Sequence, residues 1–360
     1  MLETTDPERE VTAGIDTHAD THTVAALDEL GRLLGHATFA ATSLGYEQLL
    51  GWLTIHGRVV AVGVEGTGSY GAGIARHLNG HGFRIIEVDR PDRRTRRHHG
   101  KSDPVDAVAA ARAVQAGTAT GTPKSRDGVV ESIRALRVAR HGAIKAHTAA
   151  INALRQTIIT GPTDLREQLT GLGPKTLVAT CARLRPGDLT QPAQGVKAAL
   201  RRLARRCQML AEEIADADRD LSQLIAKTAP DLLAQHGVGP EIAGQLLITA
   251  GDNPTRLRSE ASFAALCGAS PLPASSGKTN RHRLNRGGDR AANSALHRVV
   301  IMRMKSHNAT RAYVARRTEQ GMSKRDIIRC LKRYVARELL PHIKAAAQKD
   351  SDPKLPSIAA

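Results

Sequence analysis

Four acidic residues in the N-terminal third of the chain have the types and spacing of a site for divalent cations. Asp16 ends the apolar run VTAGID, Glu65 ends the apolar run VVAVGVE, and Asp103 and Asp106 lie three residues apart. The last spacing places two side chains on one helix face, with Cβ atoms about 5–6 Å apart. Converging acids repel one another unless hard cations lie between them, and Mg²⁺ prefers such oxygen ligands. Two Mg²⁺ ions about 4 Å apart would activate the attacking group and stabilise the leaving oxygen in phosphodiester chemistry.

Each acidic residue also has a purely structural interpretation. Asp103 precedes Pro104, and Asp106 follows three residues later, as in an ordinary helix N-cap with a box-like partner. Asp16 alone fits a turn residue, and Glu65 before GTGSYG fits the start of a loop. The four acids together favour the metal interpretation, because like charges that converge need a cation between them.

A zinc site is the weaker alternative at the same place. His18 and His22 follow Asp16 closely, but they fall in a turn and at the start of a strand, where a four-residue spacing does not bring two side chains together. No third nitrogen or sulfur ligand lies nearby in the sequence. The four cysteines, at 181, 207, 267 and 330, are too scattered for a zinc knuckle or a disulfide framework and are expected to be buried thiols.

The elements that must position the acids form an α/β pattern between residues 11 and about 118. Three β-type runs come first, and strands then alternate with helices near 43–56, 70–80 and 103–116. This order predicts a three-stranded meander that continues as a mixed sheet with parallel members. The first strand is then central and the fourth strand lies beside it, so that Asp16 and Glu65 become neighbours at one edge.

The remainder of the chain is predicted to be mostly helical. Residues 125–228 read as long, coiled-coil-like helices, broken near 161–174 and 186–192, and shorter helices follow around a Pro/Ser/Gly-rich centre at 268–288. The tail after 347 has a disordered composition. The predicted domains are an α/β domain at 8–120, a helical linker or oligomerisation region at 121–228, a mostly α domain at 229–345 and a disordered tail at 346–360.

The charge of the chain indicates a polyanionic partner. Its 52 Lys and Arg residues exceed its 35 Asp and Glu residues by a formal charge of +17, and Lys or Arg contacts to phosphates release condensed counterions. Nucleic acid is therefore the first expected partner. Aromatic residues make up only 2% of the chain, so arginine and backbone contacts, rather than base stacking, must carry recognition. No apolar run approaches the ~20 residues of a spanning helix and no signal peptide opens the chain, which predicts a cytoplasmic protein without a membrane partner.

Two basic segments are candidate nucleic-acid contacts. The segment RPDRRTRRHHGK leads into the Asp103 helix and supplies Arg93, Arg94, Arg96, Arg97 and Lys101. Near the C-terminus, arginines recur every four residues on one helix face, opposite apolar positions; they are Arg325, Arg329, Arg333 and Arg337. The alternatives are a solvated loop for the first segment and a solvated helix face for the second.

The motifs GID, GVEGTGSYG and KSDPVDAVAAARA resemble the RuvC-like DEDD domain of insertion-sequence family one hundred and ten, a group of bacterial transposases that are bridge-RNA-guided recombinases. The resemblance implies an RNase H-like fold for the N-terminal domain. It also implies that Asp16, Glu65, Asp103 and Asp106 are the DEDD carboxylates that hold Mg²⁺, since all four positions match. The C-terminal third matches as well, whereas the helical middle region carries no specific motif.

The C-terminal resemblance includes LLAQHGVGPEIAGQLL, which has the pattern of a helix-hairpin-helix element. A tight turn at Gly237 and Gly239 would leave backbone N–H groups at the start of the second helix free to hold a phosphate. The alternative is a glycine C-cap at Gly237 followed by a helix that Pro240 opens. Spacing alone does not decide between the two.

The stretch PASSGK offers a serine nucleophile. Similarity to the family points at Ser276, directly before Gly277, as the nucleophile of a serine transposase domain, and the adjacent Ser275 is its rival. Taken by itself, the stretch is a polar loop. Side chains that would bind a scissile phosphate and neutralise its transition state follow at once; they are Lys278, Arg281, His282, Arg283 and Arg286.

The resemblance as a whole implies an RNA-guided DNA recombinase. The serine would attack a phosphodiester of donor or target DNA to give a phosphoseryl intermediate, assisted by the Mg²⁺ cluster. The family further implies a structured non-coding guide RNA, a site shared between protomers and a homo-oligomer between dimer and tetramer. Two alternatives need no serine: a metal-dependent nuclease such as a junction resolvase, which uses only the four acids, and an architectural protein that binds DNA without catalysis.

Overall fold

The computed structural model of the chain describes residues 8–88, 102–253, 256–277 and 282–351. Contacts divide these residues into two compact units. One unit contains the described residues up to Gly128 together with Thr249–Asn285, and the other contains Val129–Ile248 and Arg286–Asp350. The first unit is therefore assembled from separate stretches of sequence. The predicted domain boundaries, which follow chain order, stay predictions.

A five-stranded mixed sheet forms the centre of the first unit. Its strands are Glu10–Thr17 (β1), Thr21–Leu27 (β2), Leu33–Ala40 (β3), Arg58–Glu65 (β4) and Ile85–Val88 (β5). The order is β3-β2-β1-β4-β5, in which β2 is antiparallel to β1 and β3, and β4 is parallel to β1 and β5. The prediction of a central first strand with the fourth strand parallel beside it is confirmed, and the arrangement fits an RNase H-like fold.

Apolar alternation along the strands creates one hydrophobic face of this sheet. Every second residue of β1 and β4 points into a common core; these residues are Val11, Ala13, Ile15, Val62 and Val64. Helices α1 (Ser43–Thr54) and α2 (Ala72–Gly80) cover this face with leucine and isoleucine side chains. The residues that alternate with the core set must therefore face the other side of the sheet.

The opposite face of the sheet is covered at very short range by α3 (Asp103–Gln115). Gly14 of β1 and Gly63 of β4 alternate with core residues and face this helix. A Cβ atom on Gly14 would lie 2.1 Å from the carbonyl oxygen of Ala107, and one on Gly63 would lie 2.7 Å from Cγ2 of Val114. Glycine at these two positions lets the backbone of α3 rest directly on the strands.

Gly14→Ala is expected to lower the free energy of unfolding of this unit by about 3 kcal/mol, because the added methyl group overlaps with helix backbone that cannot move without disturbing the core. Gly51→Ala is the matched control, since Gly51 lies within α1 and nothing lies within 4 Å of an added Cβ. The control should raise stability by about 0.5–1 kcal/mol through better helix propensity. Chemical denaturation measures both changes, and equal stabilities would contradict the close packing of α3.

Two long helices dominate the second unit. Helices α4 (Val129–Ile159) and α7 (Pro192–Thr228) pack along each other, and α5 (Thr163–Leu169) and α6 (Pro174–Ala182) lie between them in sequence. The breaks between these helices fall where glycine and proline predict them. A core at one end of the pair joins the end of α4 to the start of α7, so the two helices are antiparallel; its members include Leu154, Ile158, Leu165, Leu169, Leu177, Leu200 and Ala204.

The C-terminal third consists of shorter elements and one long helix. They are α8 (Pro230–Leu233), α9 (Pro240–Ala250), α10 (Glu260–Leu266), β6 (Leu272–Pro273), β7 (His282–Arg283), α11 (Arg290–Ser306), α12 (Asn308–Glu319) and α13 (Lys324–Ser351). Helix α13 has 28 residues and is longer than expected for this region. Buried apolar residues recur along it as far as Ala346, and Pro341 lies inside it on an exposed position without ending it.

Helices α11 and α13 are joined by an ion pair. The guanidinium group of Arg303, which is buried, donates hydrogen bonds of 2.7 Å to both carboxylate oxygens of Glu338. Three of the four cysteines are buried free thiols, as expected, and Cys330 is partly exposed. Within the described ranges, no helix combines the length and apolar character needed to span a membrane.

Candidate active site

The ends of two parallel strands place two of the predicted acids side by side. Strands β1 and β4 are in parallel register up to the pair of Ile15 and Val64, and Asp16 and Glu65 follow at the next position of each strand. The hydroxyl group of Thr17 donates a hydrogen bond of 2.9 Å to the carbonyl oxygen of Glu65, which ties the strand ends together. Both acids alternate with core residues and therefore face α3. They are only 7% and 9% exposed.

The start of α3 brings the other two acids to the same face. Asp103 and Asp106 occupy the first turn of this helix, and Asp106 is buried. The contact between α3 and Gly14, which lies two residues before Asp16 on the same face, sets how close this turn comes to β1. The N-cap position falls on Ser102 and carries no side-chain hydrogen bond. The interpretation of Asp103 as the N-cap is therefore wrong.

The electrostatics of Asp16 reflect this convergence. Burial raises the pKa of its carboxyl group, the nearby His18 lowers it, and the charges of Asp103 and Asp106 raise it, with a net upward shift. Its Oδ2 atom is buried without a hydrogen-bond partner among the described residues and lies 3.7 Å from Nδ1 of His18. A buried oxygen without a donor is unfavourable. A bound cation would remove this cost.

The side chains around Asp16 fit a divalent cation. Asp16, His18 and Asp103 offer ligand atoms that lie within 4.8 Å of one another, and carboxylate oxygens suit Mg²⁺ or Mn²⁺. Glu65 borders this group through the strand pair, and Asp106 borders it through its charge interaction with Asp16. His18 was not predicted from the sequence to lie with the Mg²⁺-binding acids. The only feature of the sequence that points to it is its position two residues after Asp16.

His22, the other half of the zinc alternative, lies on the opposite side of the sheet. It pairs with Thr17 across β1 and β2 and therefore shares the face of the hydrophobic core. Its ring is fully buried and stacks on that of Tyr46, with centroids 5.6 Å apart, and burial lowers its pKa. His18 and His22 do not meet, so a zinc site built from this pair is wrong.

The serine segment, residues 272–277, begins with strand β6 of a short two-stranded sheet. Strands β6 and β7 pair antiparallel, and Ser275 and Ser276 follow closely after β6. Both serines are exposed, and Gly277 has a φ angle of +54°, which favours glycine. Lys278 and Arg281 lie outside the described residues.

Hydrogen bonds anchor the chain before the serine segment to the chain that follows α3. The Nδ2 atom of Asn253 donates to the carbonyl oxygen of Pro123 at 2.8 Å. The guanidinium group of Arg256 donates to the carbonyl oxygen of Thr122 at 3.1 Å. The stretch Thr249–Asn285, which contains the serine segment, thus belongs to the same compact unit as the four acids.

Arg126 supports the loop that follows Glu65 and was not anticipated from the sequence. It adopts a φ angle of 56°, which is uncommon for a residue other than glycine. Its Nη2 atom donates a hydrogen bond of 2.9 Å to the carbonyl oxygen of Gly68. A single arginine between two helical regions gives no recognisable signal for this contact.

The predicted helix-hairpin-helix turn lies between α8 and α9. Gly237 has a φ angle of +82° and packs on α11, where an added Cβ would lie 3.4 Å from the carbonyl oxygen of Val299. The Nε atom of Arg303 donates to the carbonyl oxygen of His236 at 2.8 Å. Gly239 precedes the first residue of α9. The turn has the glycine conformation that both interpretations require, and phosphate binding there stays a prediction.

The other basic residues predicted to contact nucleic acid lie partly outside and partly within the described residues. Those of the segment before α3 lie outside the described residues; they are Arg93, Arg94, Arg96, Arg97 and Lys101. Of the described arginines, Arg333 is partly buried, and the exposed ones are Arg283, Arg286, Arg325, Arg329 and Arg337. Arg329 donates to Asp326 at 2.8 Å, and such exposed pairs contribute little stability. This arginine can therefore exchange its partner for a phosphate at low cost.

Comparison with known families agrees with this geometry. Residues 13–160 match a family described as Transposase, the DEDD type of IS110, and residues 230–315 match the Transposase IS116/IS110/IS902 family. The first match contains the four acids, and the second contains the Gly237 turn and the serine segment. No curated protein matches the chain. A family of DNA-recombining enzymes also excludes the architectural alternative. The chain belongs to the IS110 family of insertion-sequence transposases.

Proposed function

We propose that this transposase is an RNA-guided DNA recombinase in which Ser276 attacks DNA and a Mg²⁺-binding cluster of Asp16, Glu65, Asp103 and Asp106 assists. The observation that carries the proposal is the buried Oδ2 atom of Asp16, which lacks a donor among the described residues while other acids converge on it. Such an oxygen favours a cation, and carboxylate-held cations serve phosphodiester chemistry.

The acidic side chains have a binding and orienting role in this proposal. Asp16 and Asp103 offer oxygen atoms close enough to share one ion, and Glu65 and Asp106 complete the set from β4 and α3. His18, whose Nδ1 lies 3.7 Å from Oδ2 of Asp16, offers a further ligand atom beside this carboxylate. When bound, Mg²⁺ withdraws charge from the phosphate oxygens and makes the phosphorus easier to attack.

Ser276 supplies the nucleophile in the same proposal. Its Oγ loses a proton and forms an ester bond to phosphorus, while one deoxyribose oxygen leaves and takes up a proton. The hydroxyl group of a new strand later displaces the serine, which restores the phosphodiester and the free Oγ. The exposure of the serine segment allows a duplex to approach. Basic residues that follow it in the sequence would neutralise the transition state; these are Lys278, Arg281, Arg283 and Arg286.

A structured guide RNA and a homo-oligomer complete the proposal. The net charge of +17 supports contacts with several polyanions. The Gly237 turn, the arginines of α13 and the basic segment at 90–101 are the proposed backbone contacts. The long helices α4 and α7 are proposed to bring protomers together, so that the serine of one protomer acts with the carboxylates of another.

Recombination in a defined mixture tests the proposal. Full-length protein, Mg²⁺, donor and target duplexes, and a transcript of the structured non-coding DNA beside the gene should together yield recombined junctions. Omission of the transcript should abolish the product, and so should chelation of the metal. Equal yields without RNA would contradict guidance, and equal yields in the presence of chelator would contradict the metal cluster.

Replacement of both Arg329 and Arg333 with Gln is expected to weaken RNA and DNA binding similarly for unrelated sequences. If both arginines contact phosphates, the slope of log K against log salt concentration should fall by about 2. Replacement of Arg166 of α5 and Lys175 of α6, both exposed, with Gln removes the same charge and serves as the control. Equal losses of slope in both variants would indicate a net-charge effect, and an unchanged slope would mean that the α13 face is merely solvated.

A metal-dependent nuclease is the second candidate. The carboxylate cluster is what favours it, because four acids that hold Mg²⁺ suffice to activate a water molecule for phosphodiester hydrolysis. Such an enzyme would need neither serine nor strand rejoining. A covalent protein–DNA adduct distinguishes the two candidates.

A further inference from the structure

A second group of side chains that offer metal-ligand atoms lies on the other face of the sheet. We propose that Glu47 of α1, His77 of α2 and His81 at the end of α2 form a Zn²⁺ site, called here the His–Glu cluster. One ligand atom from each residue lies within 4.8 Å of the other two. Helices α1 and α2 cover the hydrophobic face, whereas Asp16 and Glu65 face α3. The His–Glu cluster is therefore separate from the carboxylate cluster.

The spacing of the two histidines suits joint coordination. His77 and His81 are four residues apart, so they lie on one helix face, and their ring centroids are 4.5 Å apart. The Nδ1 atom of His81 lies 2.8 Å from the carbonyl oxygen of His77, a bond in which the ring nitrogen donates. That bond leaves the lone pair on Nε2 of His81. A backbone carbonyl that sets the tautomer of a ligand in this way is common at metal sites.

The surroundings of His77 favour a cation. Its Nε2 atom is buried, makes no hydrogen bond to a described residue, and lies 3.5 Å from Oε1 of Glu47. The ring is held from the side by Tyr46, with centroids 5.6 Å apart. A neutral imidazole with its lone pair on Nε2 would face a carboxylate oxygen with like partial charge, which is unfavourable. A metal ion between the two atoms makes the same geometry favourable.

The donor set selects the metal. Two imidazole nitrogens and one carboxylate oxygen form a frequent three-residue set for Zn²⁺, with a fourth position open to water. Imidazole ligands favour Zn²⁺ over Mg²⁺, which prefers oxygen and keeps its own water. Glu47 and His81 are exposed, so an ion can enter without unfolding. The bound ion would link α1 to α2 and stabilise this side of the sheet.

Zn²⁺ titration of the full chain tests the proposal, with Co²⁺ as a spectroscopic substitute. The Asp16→Asn background removes a ligand of the carboxylate cluster, so that the two sites are not confused. In this background the protein should bind Zn²⁺, show the absorption bands of four-coordinate Co²⁺, and gain thermal stability with Zn²⁺. Added His81→Gln or Glu47→Gln should weaken Zn²⁺ binding by at least about 10-fold and abolish the thermal gain.

His36→Gln is the matched control, because it removes an exposed histidine of the same sheet that has no place in the cluster. It should leave both Zn²⁺ affinity and the thermal gain unchanged. The proposal is overturned if Zn²⁺ neither binds nor raises the unfolding temperature, which would leave only the direct contact between His77 and Glu47. It is equally overturned if His81→Gln and His36→Gln bind Zn²⁺ alike.

Discussion

Asp16→Asn is expected to lower Mg²⁺-dependent DNA strand cleavage by at least about 100-fold. Loss of residues that merely support metal ligands costs 10–100-fold in affinity or activity, and Asp16 is proposed as a ligand itself. Asparagine keeps the shape of the side chain, so the strand pairing and the contact of α3 with Gly14 should persist. Cleavage assays with guide RNA and Mg²⁺ measure the loss, and circular dichroism checks the fold.

The same substitution should stabilise the protein in the absence of metal. Burial, together with the charges of Asp103 and Asp106, raises the pKa of Asp16 in the folded state. The folded protein therefore binds this proton more tightly than the unfolded chain does. The resulting stabilisation is fully present at pH values below the pKa that Asp16 has in the unfolded chain. It is lost as the pH rises through the higher pKa that Asp16 has in the folded protein. Asparagine carries no charge at any of these pH values, so Asp16→Asn avoids the loss of stability that ionisation of Asp16 causes. The metal-free variant should therefore unfold at a higher temperature than wild type near pH 7.

Asp28→Asn is a control for which the expected change in stability has the opposite sign. Burial alone would raise the pKa of Asp28, but hydrogen bonds from Arg32 and from the backbone of Leu30 hold it below its usual range. This variant should lose stability near pH 7 and keep Mg²⁺-dependent cleavage. Normal cleavage by Asp16→Asn would refute the carboxylate site. A lower unfolding temperature of metal-free Asp16→Asn would refute the electrostatic account of that site.

Ser276→Ala should abolish covalent attachment of the protein to DNA. Wild-type protein with guide RNA, Mg²⁺ and a target duplex is expected to form an adduct that survives denaturing electrophoresis, because the serine becomes esterified to a phosphate. The substitution removes one hydroxyl group from an exposed position. DNA binding should therefore persist while the adduct and the recombined product fall below detection.

Ser275→Ala is the matched control, since it removes the same group from the neighbouring position. Only one hydroxyl group can align with both the phosphate and the metal site, so this variant should retain most of the adduct. If Ser275→Ala loses the adduct and Ser276→Ala keeps it, the nucleophile is Ser275. If both variants recombine DNA normally, serine catalysis is wrong and the four-carboxylate nuclease takes its place.

The sheet and the positions of the acids were predictable because local pattern determines them. Apolar runs that end on Asp16 and Glu65 define two strands, and the order of strands and helices leaves few topologies. The helical start at Asp103 follows from Pro104 and the alanine-rich run behind it. Chain order and alternation therefore sufficed to predict that Asp16 and Glu65 become neighbours.

Side-chain contacts that depend on how a helix packs on another element could not be predicted in this way. His18 joins Asp16 and Asp103 only because α3 rests on Gly14, and the glycine gives no hint of its partner helix. Glu47 meets His77 only once α1 and α2 share one face of the sheet. Periodicity predicts which residues share one face of an element, but it does not predict which side chains of two packed helices will touch.

The hydrogen bond between Asn253 and Pro123 has a consequence for how the protein is made. It joins residues 130 positions apart, and the intervening stretch Val129–Ile248 belongs to the other compact unit. Closing a loop of that length costs more entropy if the loop is unfolded than if its own helices have already formed. At about 5–20 residues per second, the ribosome needs on the order of ten seconds to synthesise it. The nascent chain therefore holds the strands that carry its carboxylates well before residues 272–277 are synthesised, so the site proposed here, which needs Ser276 as well as the carboxylates, could assemble only after most of the transposase exists.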